Sequence, residues 1–598
     1  MKKLFRTHRV LWVLFWTMLA AGCQPIVEKP FNRPCTLYLP QGEIAGKTIQ
    51  CGFVRVPWDR STPNSPPADL AYVLLKATGK SPRPAAIVHV AGGPGAGSTL
   101  RESVLELRKR YAPLREEYDI VLYDQRGMGN SQPFFACDEP DEPTLATLSD
   151  TLAESLGRQP TANEQRAAFC AHTTAAQGYP ASLLSTATSA ADLVDLLEVL
   201  DYPAYTLYGI SYGTRLLMAL MHFFPHLPTV RSIVLDSPYP LPEDTVNQLM
   251  ASSEREFPEL FHQLLAACAS ERACHTAYPK LAEQYATVVE TLQESPLPLP
   301  DGSELTAEAF QRAVFPLAPA IGHVPYMPRL ISELAEGNSA TLMQLRSGLV
   351  PSTHHLTALD NEHPRTGELV DAFLACQVDL ADATTQAAYD QGLISLWDAP
   401  PERVAAFLGE LCAANSGNAA SLLVQELPIG TFNGVIVRFA PELLPAVNAE
   451  LNRKLLCTEE YPFATTGERV AQQLDPLDLP DFFVAEVAQR VDSQSDGCAG
   501  WPSRLTAPTP TSPGTYPVLI LSGDFDPLTP PAFGQIAAEQ LPASLWIRVP
   551  NATHSILGNY GPCIAALTQQ FLEDPARPVD LACLQTMRIP WVLPEDTP

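Results

Sequence analysis

The sequence predicts an α/β fold, in which a mostly parallel sheet is covered by helices on both faces. Continuous apolar segments at 85–90 and 118–123 are each followed by a glycine-rich or polar turn, as buried strands would be. The segments 186–201 and 205–224 predict an amphipathic helix and a strand that runs into a second helix. The pattern resumes with YPVLILSG at 516–523. Buried strands that alternate with helices are typical of a parallel sheet.

The middle of the chain differs from both ends. With 598 residues the chain is too long for one hydrophobic core. Its middle contains helical stretches and prolines but no comparable buried strand, so we predict a large, mostly helical cap inserted into the sheet domain. The expected divisions are a signal segment at 1–22, the first part of the sheet domain at 23–240, the cap at 241–505 and the second part of the sheet domain at 506–598.

The charge balance excludes some classes of partner. The formal net charge is −27, whereas nucleic acids and anionic lipid surfaces require basic patches. We therefore expect no nucleic-acid partner and no electrostatic docking on a membrane. The negative charge would keep an exported protein soluble. The alternative is that this charge has a function and steers cationic groups, such as a free peptide amine, towards the protein.

The N-terminus predicts export. Four basic residues within 2–9 precede the apolar run VLWVLFWTMLAAGC, which is short for a membrane span and ends at Cys23. This segment resembles a bacterial lipoprotein signal. The resemblance implies that the thiol of Cys23 carries a lipid anchor, and that Gln24 favours the outer membrane, with the protein facing the periplasm or the cell surface. An ordinary secretory signal that contains Cys23 is the alternative.

Cysteine usage agrees with export. The chain has 13 cysteines, and an even number remains when Cys23 is set aside, which predicts disulfides formed in an oxidising compartment. No CxxC spacing occurs, and we expect neither a metal site nor a cofactor. The connectivity stays open, but three pairs are close in the sequence: Cys35 with Cys51, Cys268 with Cys274, and Cys563 with Cys583.

The segment GISYG at 209–213 carries a chemical signal. A Gly-x-Ser-x-Gly pattern between a strand and a helix is typical of a nucleophile elbow, a turn so tight that neighbouring side chains would collide with the backbone. The turn would present the hydroxyl of Ser211 above the sheet, and the helix N-terminus would place positive potential beneath a developing oxyanion. The alternative is a packed glycine turn without chemistry.

A serine nucleophile needs a base and an acid that orients the base. Asp526 lies in the loop after one predicted strand and His554 lies after the next, which gives the order Ser, Asp, His. Asp524 is the rival acid. We favour Asp526 because it precedes Pro527 in a turn that can hold the carboxylate in place.

The oxyanion of an acyl-transfer intermediate needs two backbone donors. One should be the amide of Tyr212, directly after the nucleophile. The other should be the amide of Gly93 in the AGGPG loop at 91–95, where a missing side chain lets the backbone approach a substrate. This loop lacks GxGxxG spacing and a GK[ST] ending, which argues against phosphate binding.

Several motifs together resemble those of a known family. The motifs are GGPG at 92–95, DQRGMGNS at 124–131, GISYGT at 209–214 and GDFDPLTP at 523–530. They resemble the proline-iminopeptidase and tripeptidyl-aminopeptidase branch of the α/β-hydrolases. The region from CAGWP to Cys583 is similar to the C-terminal region of the secreted tripeptidyl aminopeptidases.

The resemblance implies an α/β-hydrolase fold and a set of site residues. These are Ser211 as nucleophile, Asp526 as orienting acid, His554 as general base, and Gly93 and Tyr212 as oxyanion donors. Two positions depart from the family pattern, because Ala91 replaces a histidine and Thr553 replaces a glycine that are often found there.

Recognition of a free peptide N-terminus needs a carboxylate for the α-ammonium group. The segment CTEEYPF at 457–463 looks like a stretch seen in such proteins, and Glu459 and Glu460 are our candidates for this role. The alternative is that both belong to a strongly acidic surface.

The combined hypothesis is an exported serine aminopeptidase, of prolyl or tripeptidyl type, that cleaves short units from free peptide N-termini through an acyl-enzyme. An esterase or other acyl hydrolase could use the same three residues. A surface lipoprotein that binds ligands without catalysis is the third hypothesis, and the intact set of Ser211, Asp526 and His554 speaks against it.

Overall fold

The computed structural model covers most of both sheet-forming regions and part of the segment between them. Cys23, Cys35 and the predicted signal segment lie outside the described residues. Among the described residues, no helix has the length and hydropathy needed to span a bilayer, and none of their side chains form a metal-binding cluster. The described residues are 31–33, 43–137, 140–240, 262–300, 302–307, 310, 324–347, 448–463, 466–474, 484–485, 488–489, 492–493, 497–501, 514–559, 561–589 and 591–594.

The described strands form a large central sheet and a small ribbon. The strands are β1 (Phe31–Arg33), β2 (Ile49–Pro57), β3 (Pro67–Leu75), β4 (Ala86–Val90), β5 (Asp119–Tyr123), β6 (Tyr205–Ile210), β7 (Val230–Asp236), β8 (Leu297–Pro298), β9 (Glu304–Leu305), β10 (Val518–Gly523) and β11 (Leu545–Val549). The central sheet has nine strands in the order β1-β2-β3-β5-β4-β6-β7-β10-β11, and β8 pairs with β9. From β5 to β11 every neighbouring pair is parallel, whereas β1, β2, β3 and β5 pair antiparallel. The predicted fold, with a mostly parallel sheet, is confirmed.

The antiparallel pair β2–β3 adds to the sheet that the sequence predicts. In β2, buried residues such as Val54 and Val56 alternate with partly exposed ones, so no continuous apolar run forms. Such alternation is typical of a strand with one face towards solvent. A search for uninterrupted apolar segments alone misses strands of this kind.

Helices lie before, between and after the parallel strands. The α-helices are α1 (Arg101–Arg110), α2 (Ala112–Arg115), α3 (Glu142–Leu156), α4 (Ala162–Ala176), α5 (Thr186–Leu200), α6 (Tyr212–Phe223), α7 (Arg272–Ala277), α8 (Leu281–Glu294), α9 (Met327–Ala335), α10 (Ala340–Ser347), α11 (Ala449–Glu459), α12 (Gly467–Leu474), α13 (Pro531–Gln540), α14 (Ile556–Asn559) and α15 (Gly561–Glu573). Short 3-10 turns occupy Ala181–Leu183, Val324–Tyr326, Tyr461–Phe463, Cys498–Gly500 and Ala582–Thr586.

Hydrophobic side chains cover both faces of the sheet. Neighbouring residues of a strand point to opposite faces. Val88 of β4 therefore packs in one cluster with α5 and α6, and Ile87 packs in the other with α1 and α15. Helix α6 is buried over its first ten residues, from Tyr212 to Met221. The helix that follows Ser211 is thus anchored in the core.

A third hydrophobic cluster lies largely in the predicted cap. Ile331 of α9 belongs to it, together with Phe525 from the loop after β10 and Val592 near the C-terminus. The hydroxyl of Tyr278 donates a hydrogen bond of 2.7 Å to the carbonyl of Val592. Contacts from the second part of the sheet domain therefore hold this cluster. The boundaries at 241 and 505 stay a prediction, because much of this segment lies outside the described residues.

Disulfides connect several of the described segments. Two of the predicted pairs, Cys268–Cys274 and Cys563–Cys583, are confirmed. Cys51 is disulfide-bonded, but its predicted partner Cys35 lies outside the described residues. Two further bonds join residues that are distant in the sequence: Cys137–Cys170 and Cys457–Cys498.

Glu43 fastens the N-terminal segment to the helices that follow β4. Its carboxylate accepts hydrogen bonds from Arg108 Nε at 2.7 Å, and from Arg115 Nη1 and Nη2 at 2.5 and 2.9 Å. Burial by itself would raise the pKa of Glu43. The hydrogen bonds from Arg115, Thr48 and Arg108 outweigh this effect and lower the pKa to about 2.

We expect Glu43→Gln to lower the free energy of unfolding by about 1.5–3 kcal/mol near neutral pH, because charge-assisted hydrogen bonds are lost. A carboxylate with a depressed pKa stabilises the fold above its unfolded pKa, near 4.5, and loses this effect as the pH falls towards 2. Thermal unfolding of both proteins at several pH values checks this. The gap between them should be full above pH 4.5 and should close below it; a gap independent of pH would contradict the expectation.

Candidate active site

Ser211 lies on a strained turn between β6 and α6. Its backbone has φ 56° and ψ −125°, a conformation that residues other than glycine rarely adopt. The helix starts at the next residue, Tyr212, so the N-terminal end of α6 lies directly behind the serine. A strained serine at a strand-to-helix turn is the geometry expected of a nucleophile elbow.

The glycines around Ser211 leave no room for side chains. A Cβ on Gly209 would lie 2.7 Å from the carbonyl oxygen of Gly213, and a Cβ on Gly213 would lie 2.1 Å from that of Val90. A Cβ on Gly92 would lie 2.9 Å from the Cβ of Ser211. Real Cβ atoms do not approach other atoms this closely. The elbow therefore packs backbone against backbone, and the glycine loop after β4 lies beside the serine.

Asp526 and His554 form a hydrogen-bonded pair. His554 Nδ1 lies 2.8 Å from Asp526 Oδ2, and the aspartate is fully buried. The other oxygen of Asp526 accepts from the amides of Leu528 and Thr529, both at 2.9 Å, and the Thr529 hydroxyl donates to Oδ2 at 2.7 Å. The carboxylate is thus held in place by its own loop.

The sheet brings this pair to the same edge as Ser211. Ser211 follows β6, Asp526 follows β10 and His554 follows β11, and the four strands from β6 to β11 are parallel neighbours. The carboxyl ends of parallel strands meet at one edge of a sheet, where ligands bind in folds of this class.

The surroundings of His554 raise its pKa. Burial alone would lower the pKa of His554, but the charge of Asp526 and its hydrogen bond outweigh this effect, so that the pKa is raised. Nδ1 faces Asp526, which leaves Nε2 as the atom for exchanging a proton with another group.

The rival acid Asp524 points elsewhere. Its carboxylate bonds to the guanidinium of Arg548, with Nε at 3.0 Å and Nη2 at 2.9 Å, in a half-exposed ion pair. Two residues further along the same loop, the carboxylate of Asp526 contacts His554.

Asp124 holds the segment that directly follows the predicted oxyanion loop. The carboxylate of this buried residue accepts hydrogen bonds from the amides of Ser98 at 2.5 Å, Thr99 at 2.9 Å and Asn130 at 2.7 Å. Gly93 has φ 109°, which favours glycine. Asp124 is the first residue of the motif DQRGMGNS, and the sequence alone predicted no role for it. The sequence feature that could have identified Asp124 is an aspartate directly after a buried strand.

The two glutamates predicted to bind an amine lie at the end of α11, against the elbow helix. Glu459 Oε1 accepts from the amide of Thr186 at 2.7 Å, and burial raises the pKa of Glu459. Glu460 accepts from Arg215 Nη1 and, at 2.6 Å, from the hydroxyl of Tyr239. Protein donors therefore engage both carboxylates.

This contact network contains residues that the sequence did not single out. The hydroxyl of Thr186 lies 2.7 Å from that of Tyr212, so the glutamates, α5 and the elbow helix are connected. Arg215 is fully buried within an otherwise apolar helix, and its guanidinium lies 3.9 Å from the ring centre of Tyr239. A charged residue inside an apolar helical run is the signal that could have identified it.

Comparison with known proteins agrees with this geometry. Residues 86–284 match the family described as alpha/beta hydrolase fold, and residues 485–583 match the family described as TAP-like protein. The chain has an α/β-hydrolase fold, and its C-terminal segment is similar to the TAP-like family. The matched segments contain the elbow, Asp526 and His554.

The relatives of this chain include named peptidases. A tripeptidyl aminopeptidase of Streptomyces lividans is 31% identical over 194 residues, which are 32% of this chain and 35% of the relative. Serine protease Hip1 of Mycobacterium tuberculosis is 28% identical over 316 residues, 47% of this chain and 56% of the relative. Carboxylesterase B of the same species is 32% identical over 91 residues, 15% of this chain and 17% of the relative. The chain spans between a third and just over half of the length of the two peptidases.

A solved structure of proline iminopeptidase from Mycobacterium smegmatis shares 12% identity. It covers 87% of this chain and 97% of its own, with a TM-score of 0.33. Such a score adds nothing to the argument.

The packing around the elbow generates a stability prediction. Gly213→Ala places a Cβ 2.1 Å from the carbonyl oxygen of Val90, so backbone must shift, and we expect unfolding to become easier by about 1–3 kcal/mol. Thermal unfolding measures the effect. Gly157→Ala is the control, since a Cβ there meets open space and only its φ of 67° is unfavourable. Equal effects at both positions would show that the elbow is not tightly packed.

Proposed function

We propose that this protein is a serine hydrolase in which Ser211 is the nucleophile, His554 the general base and Asp526 the acid that orients His554. The single observation that carries the proposal is the contact of 2.8 Å between His554 Nδ1 and the buried Asp526 carboxylate, at the sheet edge where the strained Ser211 turn also lies. In this arrangement the carboxylate stabilises the imidazolium that forms when the histidine accepts a proton.

The proposed reaction proceeds through an acyl-enzyme. Ser211 Oγ attacks the substrate carbonyl while His554 Nε2 accepts its proton, and the amides of Tyr212 and Gly93 stabilise the oxyanion. Collapse of this intermediate breaks the bond to the leaving group, which receives the proton from His554. A water molecule then attacks the acyl-enzyme, again with His554 as base, and releases the acid together with free Ser211.

We propose that the substrates are peptides with a free N-terminus, from which a prolyl residue or a tripeptide is removed. The named peptidase relatives support a peptide substrate. For the α-ammonium group we propose Glu460, supported by Glu459. Glu460 Oε2 already accepts one hydrogen bond, from the hydroxyl of Tyr239. A carboxylate oxygen can accept a second hydrogen bond. The side chain of Tyr239 is only partly buried, so a ligand could approach from this side.

Export and membrane anchoring belong to the same proposal. The described disulfides support an oxidising compartment. We propose that the chain is exported and held at the outer membrane by a lipid on Cys23. A Cys23→Ser protein that stays in the detergent phase of a Triton X-114 partition would argue against this anchor.

An ester or other small acyl substrate is the second candidate function. Amide and ester hydrolysis share the same tetrahedral intermediate, so the reacting residues cannot separate them. The match to a carboxylesterase supports this alternative, although the match spans only 91 residues.

We expect a fluorophosphonate probe to label the wild-type protein and not Ser211→Ala.

We expect Asp526→Asn to lower kcat by about 10³–10⁴-fold, because His554 would lose the acceptor that sets its tautomer. Asp524→Asn is the matched control from the same loop and should retain activity. Loss of activity in Asp524→Asn with full activity in Asp526→Asn would reverse the assignment of the acid.

Matched chromogenic peptides with free and with acetylated N-termini test the exopeptidase proposal. We expect cleavage only of the free form, because the ammonium group would pair with a carboxylate. Glu460→Gln should raise the KM for the free peptide by a larger factor than the factor by which it lowers kcat for a simple ester. Equal cleavage of free and acetylated peptides would contradict the exopeptidase proposal, and turnover of esters alone would favour the esterase.

A further inference from the structure

A second buried carboxylate lies between the nucleophile and the base. Asp236 is the last residue of β7, the strand that separates β6 from β10 in the sheet. Its side chain is fully buried, and the proposed reaction gives it no role. A buried carboxylate requires several hydrogen-bond donors, so its contacts indicate what it holds.

Asp236 contacts the backbone on both sides of the site. Its carbonyl oxygen accepts from the amide of Ser211 at 3.0 Å. Its carboxylate accepts from the amides of Ile556 at 2.8 Å and Leu557 at 3.1 Å, the second and third residues after His554. One residue therefore bonds to the backbone of the nucleophile and to the segment that carries the base.

The neighbouring residue strengthens this connection. Ser237 has φ 56°, and its amide donates to the carbonyl of Leu521 in β10 at 2.9 Å. Its hydroxyl donates to Asp236 Oδ1 at 3.1 Å and accepts from the amide of Ser555 at 2.8 Å. Ser555 directly follows His554 and has φ 66°. Three consecutive amides after the histidine are thus held by two residues at the end of β7.

The other carboxylate oxygen of Asp236 bonds to β6, the strand that precedes the elbow. The hydroxyl of Tyr208, in β6, donates to Asp236 Oδ2 at 2.8 Å. Tyr208 and Asp236 are both fully buried, so water does not compete for these contacts. Hydrogen bonds from β6, from the residue that follows β7 and from the start of α14 converge on one side chain.

We propose that Asp236, together with Ser237, is a positioning unit that sets where the His554 ring lies relative to Ser211; this inference rests on the proposed function. Asp526 orients the ring through Nδ1 but does not hold the backbone that carries it. The Asp236–Ser237 unit holds that backbone and is bonded to the nucleophile at the same time. A displacement of about 1 Å at a reacting group can cost about 10²-fold in rate.

The unit also acts on His554 through charge. Burial lowers the pKa of His554, the carboxylates of Asp526 and Asp236 raise it, and the guanidinium of Arg110 lowers it. Arg110 reaches the same loop, since its Nη1 donates to the hydroxyl of Ser555 at 2.6 Å. Removing the charge of Asp236 should therefore lower the pKa of the base.

Asp236→Asn and Ser237→Ala separate position from charge. For Asp236→Asn we expect kcat per active site to fall by about 10²-fold with little change in KM, and the acid limb of kcat/KM to move to lower pH. For Ser237→Ala we expect a loss of about tenfold with the acid limb unmoved, because the charge remains. Asp524→Asn is the control, an aspartate bonded to Arg548 near the surface, and should change neither quantity.

Active sites are counted by fluorophosphonate titration, and rates are measured with a chromogenic ester across pH. Normal kcat per titrated site and an unmoved acid limb in Asp236→Asn would overturn the inference. If Asp236→Asn does not fold, Ser237→Ala decides, and an unchanged kcat per site in that variant would overturn the inference. A folded wild-type protein that the probe never labels would instead refute the proposed function.

Discussion

The close approach of the elbow to strand β4 is the constraint on which the site depends. No side chain fits at Gly213, because even a methyl group would lie 2.1 Å from the carbonyl oxygen of Val90. This approach lets α6 begin directly behind Ser211 and continue through the core, where it packs in one cluster with the sheet and α5. Backbone packing therefore fixes the position of Ser211. The loops that carry Asp526 and His554 are positioned relative to this fixed residue.

Buried carboxylates connect those loops to the elbow. Asp526 and Asp236 are fully buried, and both accept hydrogen bonds from backbone amides of the loops that they position. An unsatisfied carboxylate in such surroundings would be strongly destabilising. Each therefore favours a single conformation of its loop, and the two together favour one position of His554. In a comparable way, Glu459 connects α11 to α5, and Glu460 connects the end of α11 to the elbow helix.

The sequence predicted the parallel part of the sheet because buried strands leave continuous apolar runs. It also predicted two of the described disulfides, whose cysteines are close in the chain. It did not predict the β2–β3 pair. Strand β2 alternates buried and partly exposed residues, whereas residues 70–75 of β3 form a continuous apolar run that the prediction overlooked. The contacts of Asp124, Arg215 and Asp236 were also missed. Each depends on partners from distant segments, which no local pattern reveals.

By itself, the sequence determined the residue types that the chemistry needs and their order, with a serine between glycines followed by an aspartate and a histidine. Their local surroundings already implied a strand, a turn and a helix. Only the tertiary structure decided which aspartate contacts His554, and that Asp236 lies between the nucleophile and the base. The physical reason is that turn chemistry acts over a few residues, whereas hydrogen bonds between buried groups depend on strand order and register.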